Sequence, residues 1–350
     1  MPSKSDSEIS CAEREQSAEK EADSPAANRG RTASWPREIP VAGWWDILWR
    51  VVKRLSTENL TLMCGGMALY ALMSVFPALA AAVSIYGLFA TPADAIKHVQ
   101  AFAGVLPPGV WEIFNTQLQT ITRHETKTLS IAAILGLVIA LWSARSAMSA
   151  LMSGTNMAYG EAEKRKFFVQ VLTSLALTIG AVLAFLVMLL LGIVIPITLN
   201  LLGTNVWAQW IVDVLQWALL WAFTVVALAL VYRYGPARHR ARWQWVKWGS
   251  VIAATLWLVM SAVFAFYVQA FANYGKTYGA LGSVIALLMW FYLSSVIVVL
   301  GAQINAEMER QTRVDTTEGP PAPMGQRGAY AADTLGPSAT GADSDHSPER

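Results

Sequence analysis

Charge-free stretches dominate the middle of this chain, and their lengths define its elements. Asn59 to Ala93 contains no Asp, Glu, Lys or Arg; Thr128 to Gly160 holds Arg145 alone; Phe167 to Val212 holds none. A helix needs about 20 apolar residues to cross a hydrocarbon core about 30 Å thick. On that ruler the runs predict spans at about 63–90, 129–151, 168–199, 207–232, 248–273 and 280–304. Pro196 with Asn200, Gly203 and Asn205 separates the third from the fourth, and Lys276 stands between the last two. Lipid leaves no water for unpaired backbone groups, so only helices or closed barrels cross it, and these runs are too long and continuous for barrel strands. The predicted fold class is an all-α polytopic helical membrane protein with about six transmembrane helices, its transmembrane domain covering 41–310.

Outside the spans the pattern changes. In 91–127, Ile96, Val99 and Phe102, and later Ile113, Leu118 and Ile121, recur at helical intervals around Pro107-Pro108-Gly109. The segment therefore predicts two short amphipathic helices on the outer face, either lying flat at the interface or capping a cavity. The ends, 1–40 and 311–350, are rich in Ser, Glu, Lys and Ala or in Gly, Pro, Asp and Ser, and are expected to be disordered cytoplasmic tails. The first long apolar run starts near Asn59, which predicts insertion by the first helix itself rather than by a cleaved targeting peptide.

Composition agrees with lipid as the solvent: 55% of residues are hydrophobic and 14% charged, against roughly 25% charged in an average soluble domain. The distribution of Lys and Arg sets the orientation. Arg50, Lys53 and Arg54, then 164–166, then the 233–247 loop, then Arg310 and Arg313 put thirteen on one side, against Lys97, Arg123, Lys127 and Lys276 on the other. The positive-inside rule then places both termini in the cytoplasm, at a bacterial inner membrane. Trp44, Trp45 and Trp49 before the first span, and Trp243, Trp245 and Trp248 before the fifth, stand where an aromatic belt is expected. A net charge of +2 gives no reason to expect nucleic acid as a partner, and two cysteines, Cys11 and Cys64, cannot build a disulfide framework or a thiolate metal site.

Polar residues at lipid depth carry the candidate chemistry, because ionisable groups there are costly. Arg145 lies about 24 Å along the second span, within snorkelling reach of the inner boundary, either as an anchor or as a contact for a substrate or lipid headgroup. Ser146, Ser149, Ser153 and Asn156 form a stripe on the same helix, followed by Tyr159, and serve helix packing or a polar path. Pro77, with Ser74 a turn earlier, predicts a kink in the first span. The stretch from Tyr267 to Gly282 is the densest polar and glycine-rich signal, and Gln269, Asn273, Tyr274, Lys276 and Tyr278 are its candidate substrate or cavity residues. Glu307 and Glu309 read as a solvated helix end able to face the basic 233–247 loop, and Asp213 as an interfacial residue near the outer boundary.

The chain resembles the YihY/BrkB family of bacterial inner-membrane proteins between about Trp44 and Arg310. The resemblance rests on Gly65-Gly66-Met-Ala-Leu-Tyr70 with Phe76-Pro77, Trp142-Ser-Ala with Asn156-Met-Ala-Tyr159, Asn273-Tyr-Gly-Lys-Thr-Tyr-Gly-Ala-Leu-Gly282, Trp290-Phe-Tyr and Leu300-Gly-Ala-Gln-Ile-Asn305. It implies six helices with both ends cytoplasmic, and its members carry labels of virulence, transport, lipid handling and a mistaken ribonuclease assignment. It implies no catalytic residues.

Three functions are weighed. A transporter or lipid translocase with a polar cavity between helices fits the polar clusters and Arg145, although no internal inverted repeat is visible. A non-catalytic envelope scaffold, homo-oligomeric through small-residue faces, is the alternative. An enzyme is disfavoured: His98, His124, His239 and His346 are scattered, and no metal-ligand spacing, paired aspartates or phosphate-cradling loop appears, so no catalytic residue, cofactor or metal is expected. The expected partners are membrane lipids and a small-molecule or lipid substrate.

Overall fold

The computed structural model describes residues 29–57, 60–89, 129–201, 206–270 and 280–339. Among them the regular structure is helical: α1 (Val41–Thr57), α2 (Leu60–Phe89), α3 (Leu129–Tyr159), α4 (Phe167–Leu201), α5 (Val206–Tyr234), α6 (Trp243–Ala270), α7 (Ala280–Glu309) and the short α8 (Tyr330–Asp333). Extended pairing among the described residues is a single bridge between Ala241 and Thr317. The chain is an all-α, multi-pass membrane protein. Helices α4 to α7 each contain a charge-poor stretch long and apolar enough to cross a membrane, and α2 contains a shorter one, Leu60–Val75. Their outward faces are apolar, as Leu69, Leu172, Leu183, Val259, Val263 and Phe266 show; a surface of this kind belongs against hydrocarbon.

Each long helix packs on the next in sequence, and α7 returns to pack on α2 and α3 as well as on α6. Without a hydrophobic drive between helices in lipid, close approach depends on small residues and interhelical hydrogen bonds. The α6–α7 contact has both. A Cβ placed on Gly301 would lie 2.5 Å from Tyr232 Oη and 2.6 Å from Ala253 Cβ, and one on Gly249 would strike the Gly301 carbonyl. Alongside, Asn305 accepts from the Gly249 amide at 2.8 Å and donates to the Val246 carbonyl at 3.0 Å, while the Tyr232 hydroxyl donates to the Val298 carbonyl at 2.8 Å. This explains the Leu300-Gly-Ala-Gln-Ile-Asn305 block as a packing device.

Three expectations need correction or extension. Residues 41–57, which precede the first predicted span and to which no element was assigned, form a separate helix, α1, packed on α7. The helix that holds the second predicted span, 129–151, is α3, which continues to Tyr159 and carries the serine stripe beyond the apolar stretch. Residues 311–339, expected to be disordered, pack against the same end of the bundle as 29–40. Arg31 donates to the Gly336 carbonyl at 2.8 Å, Thr312 Oγ1 to the Ala33 carbonyl at 2.6 Å and Arg327 to the carbonyls of Arg313 and Ala332, both at 2.7 Å. Arginine-to-carbonyl bonds order this segment where apolar content does not. The predicted outer segment 91–127, and 1–28 and 340–350 of the tails, lie outside the described residues. Helix α2 runs on through Pro77, so the proline does not end it.

Candidate functional site

Polar side chains concentrate at the end of the bundle where α1, the ends of α3 and α7, the 235–242 loop and the two terminal segments meet; this is the basal end below. Its centre is Glu307, fully buried in the last turn of α7. Arg50 Nε donates to one carboxylate oxygen at 2.6 Å, and Arg54 and Arg310 donate to the other at 3.0 and 2.8 Å. Arg50 and Arg54 sit one turn apart on α1, so a single face of that helix covers the carboxylate. Arg50 is saturated further by Gln311 Oε1 at 2.7 Å and the Pro337 carbonyl at 3.0 Å. Burial pulls the Arg50 guanidinium below its usual value against the opposing pull of Glu307.

Two residues on, Glu309 makes a second centre. Arg238 grips it in a two-pronged pair at 2.6 and 3.1 Å, Thr316 Oγ1 donates to it at 2.8 Å, and the Arg238 guanidinium stacks over the Tyr159 ring at 4.9 Å. A third carboxylate, Asp46, takes Arg29 and the Ala339 amide, and Glu161 accepts from the Tyr330 amide at 2.6 Å. Arg233 pairs with Glu318. The expectation of a solvated helix end is thus corrected. Glu309 does face the 233–247 loop through Arg238, but both glutamates are buried, and Glu307 is claimed by α1, which the sequence reading did not separate as a helix. The signal for it was present: Asp46, Arg50 and Arg54 recur every four residues, one charged face on a helix otherwise rich in apolar residues. One turn before Glu307, the fully buried Gln303 has neither amide atom hydrogen-bonded among the described residues, an arrangement that costs about 1–3 kcal/mol per group.

The sequence-predicted residues divide among separate surroundings. Arg145 Nε donates to Ser174 Oγ on α4 at 3.2 Å, and its guanidinium lies over the Trp142 ring at 4.8 Å; among the described residues no carboxylate pairs with it. Ser149 is half-buried and its carbonyl accepts from Ser153 Oγ at 3.0 Å, while Ser146 donates to the Trp142 carbonyl at 3.1 Å, so the hydroxyls of Ser146 and Ser153 are satisfied within their own helix. Asn156 is a hinge-pin of the basal end: its Oδ1 accepts from the Ala237 amide at 2.6 Å and its Nδ2 donates to Glu163 at 3.0 Å. Tyr159 is buried, its ring under the Arg238 guanidinium. Arg145 and Asn156 stand eleven residues apart on α3, about 16 Å along its axis, and do not converge. Gln269 falls in the last turn of α6, at the opposite end of that helix from the basal 235–242 loop. Asn273, Tyr274, Lys276 and Tyr278 lie outside the described residues.

Comparison with known proteins places this architecture. The family model described as virulence factor BrkB matches residues 51–325. A ribonuclease-like protein of Bacillus subtilis, YfkH, is 34% identical over 188 residues, covering 51% of this chain and 66% of that protein, just under two thirds of its length. UPF0761 membrane proteins of Tolumonas auensis and Cronobacter sakazakii are 24% and 26% identical, over 73% and 78% of this chain and 83% and 90% of theirs. No solved structure matches.

Proposed function

This chain belongs to the family of the virulence factor BrkB, and from that premise we propose that it is a transporter or lipid translocase of the bacterial inner membrane, crossing it six times with both termini in the cytoplasm. The shared basal position of the two terminal segments supports an even number of crossings, and the excess of Lys and Arg at that end supports its being cytoplasmic.

One observation carries the transport reading. Arg145 stands on the apolar part of α3 with a serine hydroxyl and an indole ring as its contacts, while Arg29, Arg50, Arg54, Arg238 and Arg310 of the basal end are each bound to a carboxylate. A cation kept at lipid depth without a counter-charge is costly, and an anionic group of a passing solute or lipid would relieve that cost. The basal network then closes the cytoplasmic end beneath it. The test is flux of anionic solutes and scrambling of labelled anionic lipids in proteoliposomes. Arg145→Ala should abolish the activity and Arg145→Lys should keep part of it; no flux or scrambling across a broad panel by the unaltered protein would refute the proposal. That outcome would favour the second reading, a non-catalytic envelope scaffold, which the hydroxyls of Ser146 and Ser153, satisfied within α3 itself, support.

We propose no catalytic role. The buried carboxylates Asp46, Glu307 and Glu309 each accept several hydrogen bonds from arginines and other donors, which leaves a poor general base. The ribonuclease wording belongs to the Bacillus relative.

A further inference from the structure

Helix α1 is built inside out. Its inner face carries charge, Asp46 and Arg50, together with Gly43, Ile47 and Val51, all buried. Its outer face is apolar: Val41 is 87% exposed, Trp45 66%, Leu48 47% and Val52 65%. These four positions recur at intervals of four, three and four residues, so they form one continuous stripe. A helix lying on a water-soluble surface has the reverse arrangement.

The inner face fixes where the stripe points. It runs from the C-terminal segment, where Asp46 accepts from the Ala339 amide, over Glu307, to the end of α3, where Arg54 donates to the carbonyls of Ala158 and Met157 at 3.0 and 3.2 Å. The helix therefore lies across the basal end of the bundle. The stripe is also continuous with the lipid-facing surface. Trp44 meets Trp248 edge-on, ring centroids 6.4 Å apart, and Trp248 and Trp243 are exposed in the first turns of α6, as are Phe167 and Phe168 in the first turn of α4. Lysines border the same level: Lys53 lies over the Trp49 ring at 4.9 Å, and Lys166 and Lys247 are exposed beside Phe167 and Trp248. Apolar side chains flanked by indoles and lysines match the acyl–headgroup boundary of an anionic leaflet.

We propose that α1 is an interfacial helix, its Val41–Trp45–Leu48–Val52 stripe seated in the leaflet at the basal end and Lys53 engaging anionic headgroups. The leaflet thereby holds in place the helix whose opposite face closes over Glu307. The proposal stands whether or not the protein transports.

The full chain, with Cys11→Ser and the buried Cys64 retained, is given single cysteines by Trp45→Cys, Leu48→Cys or Val52→Cys, with Lys164→Cys as a solvent control. Each is labelled with an environment-sensitive fluorophore and reconstituted in vesicles of phosphatidylcholine and phosphatidylglycerol, two to one. Doxyl-labelled lipid should quench the three α1 labels at least about threefold more than the control, and aqueous iodide the reverse. Removing phosphatidylglycerol, or adding Lys53→Glu, should weaken the lipid quenching. Iodide quenching at 45, 48 and 52 equal to that at 164 would overturn the proposal. Shielding from both quenchers with self-quenching between labels would overturn it in favour of a second copy of the chain. Lipid quenching indifferent to phosphatidylglycerol and to Lys53→Glu would overturn the headgroup assignment.

Discussion

Glu307→Gln isolates the energetics of the basal end, because it removes one negative charge at almost constant shape. In the native arrangement the carboxylate accepts from Arg50, Arg54 and Arg310. Removing one partner of a buried ion pair costs about 3–5 kcal/mol, since the remaining charge is left desolvated and uncompensated. Here the cost should fall near the lower figure. Arg50 keeps Gln311 Oε1 and the carbonyls of Glu307 and Pro337, and Arg54 keeps two carbonyls of α3. In a domain of this size each kcal/mol moves the thermal midpoint by about 2–4 °C, so a loss of about 6–12 °C is expected. The assay is tryptophan fluorescence on heating the purified protein in detergent, at one fixed scan rate because unfolding of such proteins is commonly irreversible. Arg50→Met alone should also destabilise, whereas the double variant should lose less than the two single losses added together, since a buried pair replaced by apolar or neutral groups no longer strands a charge. Lys164→Ala, whose ion pair with Glu161 leaves the lysine 72% exposed, should shift the midpoint by no more than about 1–2 °C. A Glu307→Gln midpoint within about 1 °C of the native protein, or strictly additive single losses, would refute the reasoning.

Gly301→Ala should cost several kcal/mol, about 3 or more, by forcing α6 from α7, whereas Gly66→Ala, with open space around its Cβ, should be neutral or stabilise by up to about 1 kcal/mol; thermal midpoints of the two variants decide it. Asp315 anchors the C-terminal segment: burial raises its carboxyl, but the amides of Ala322 and Thr317, the Thr317 hydroxyl and Arg327 outweigh that and hold it below the usual carboxylate range. A depressed folded value contributes stability above the unfolded pKa, about 3.9, that is lost as the pH falls through the folded value. Cleavage at Arg313 and Arg327 by an acid-active protease of suitable specificity should therefore rise below about pH 4, and Asp315→Asn should raise it at neutral pH too; cleavage independent of both would contradict the anchoring role.

The long helices were legible because lipid imposes a one-dimensional rule: charge is excluded over a fixed length, and length and charge are visible in a sequence. Helix α5, Val206–Tyr234, encloses the charge-poor run read at 207–232. The same rule hid α1. Counting charges left 41–57 outside the spans, yet Asp46 and Arg50 lie on one face, where they are buried by protein, and apolar residues on the other. The rule also misplaced Glu307. A carboxylate at a helix end is ordinarily solvated, and only the position of α1 across that end, a tertiary fact, turns it into the centre of a buried cluster. Gly66 and Gly301 make the same point in the opposite direction: both belong to motif-like blocks, but one faces open space and the other the carbonyl of Gly249.

The terminal segments reveal why composition failed where it seemed safest. Few apolar side chains between 311 and 339 means little hydrophobic gain on ordering, and on that ground alone the segment stays disordered. What orders it is a set of guanidinium groups, Arg31, Arg50 and Arg327, each reaching several backbone carbonyls. An arginine has five donors in a fixed fork and can cross-link a loop lacking side chains of its own to bury. The bonds of Arg31 and Arg50 join residues 305 and 287 positions apart, a separation at which no local pattern speaks. The basal end is thus assembled from the two ends of the chain and a single face of α1, so any motion that opens it must move all three together.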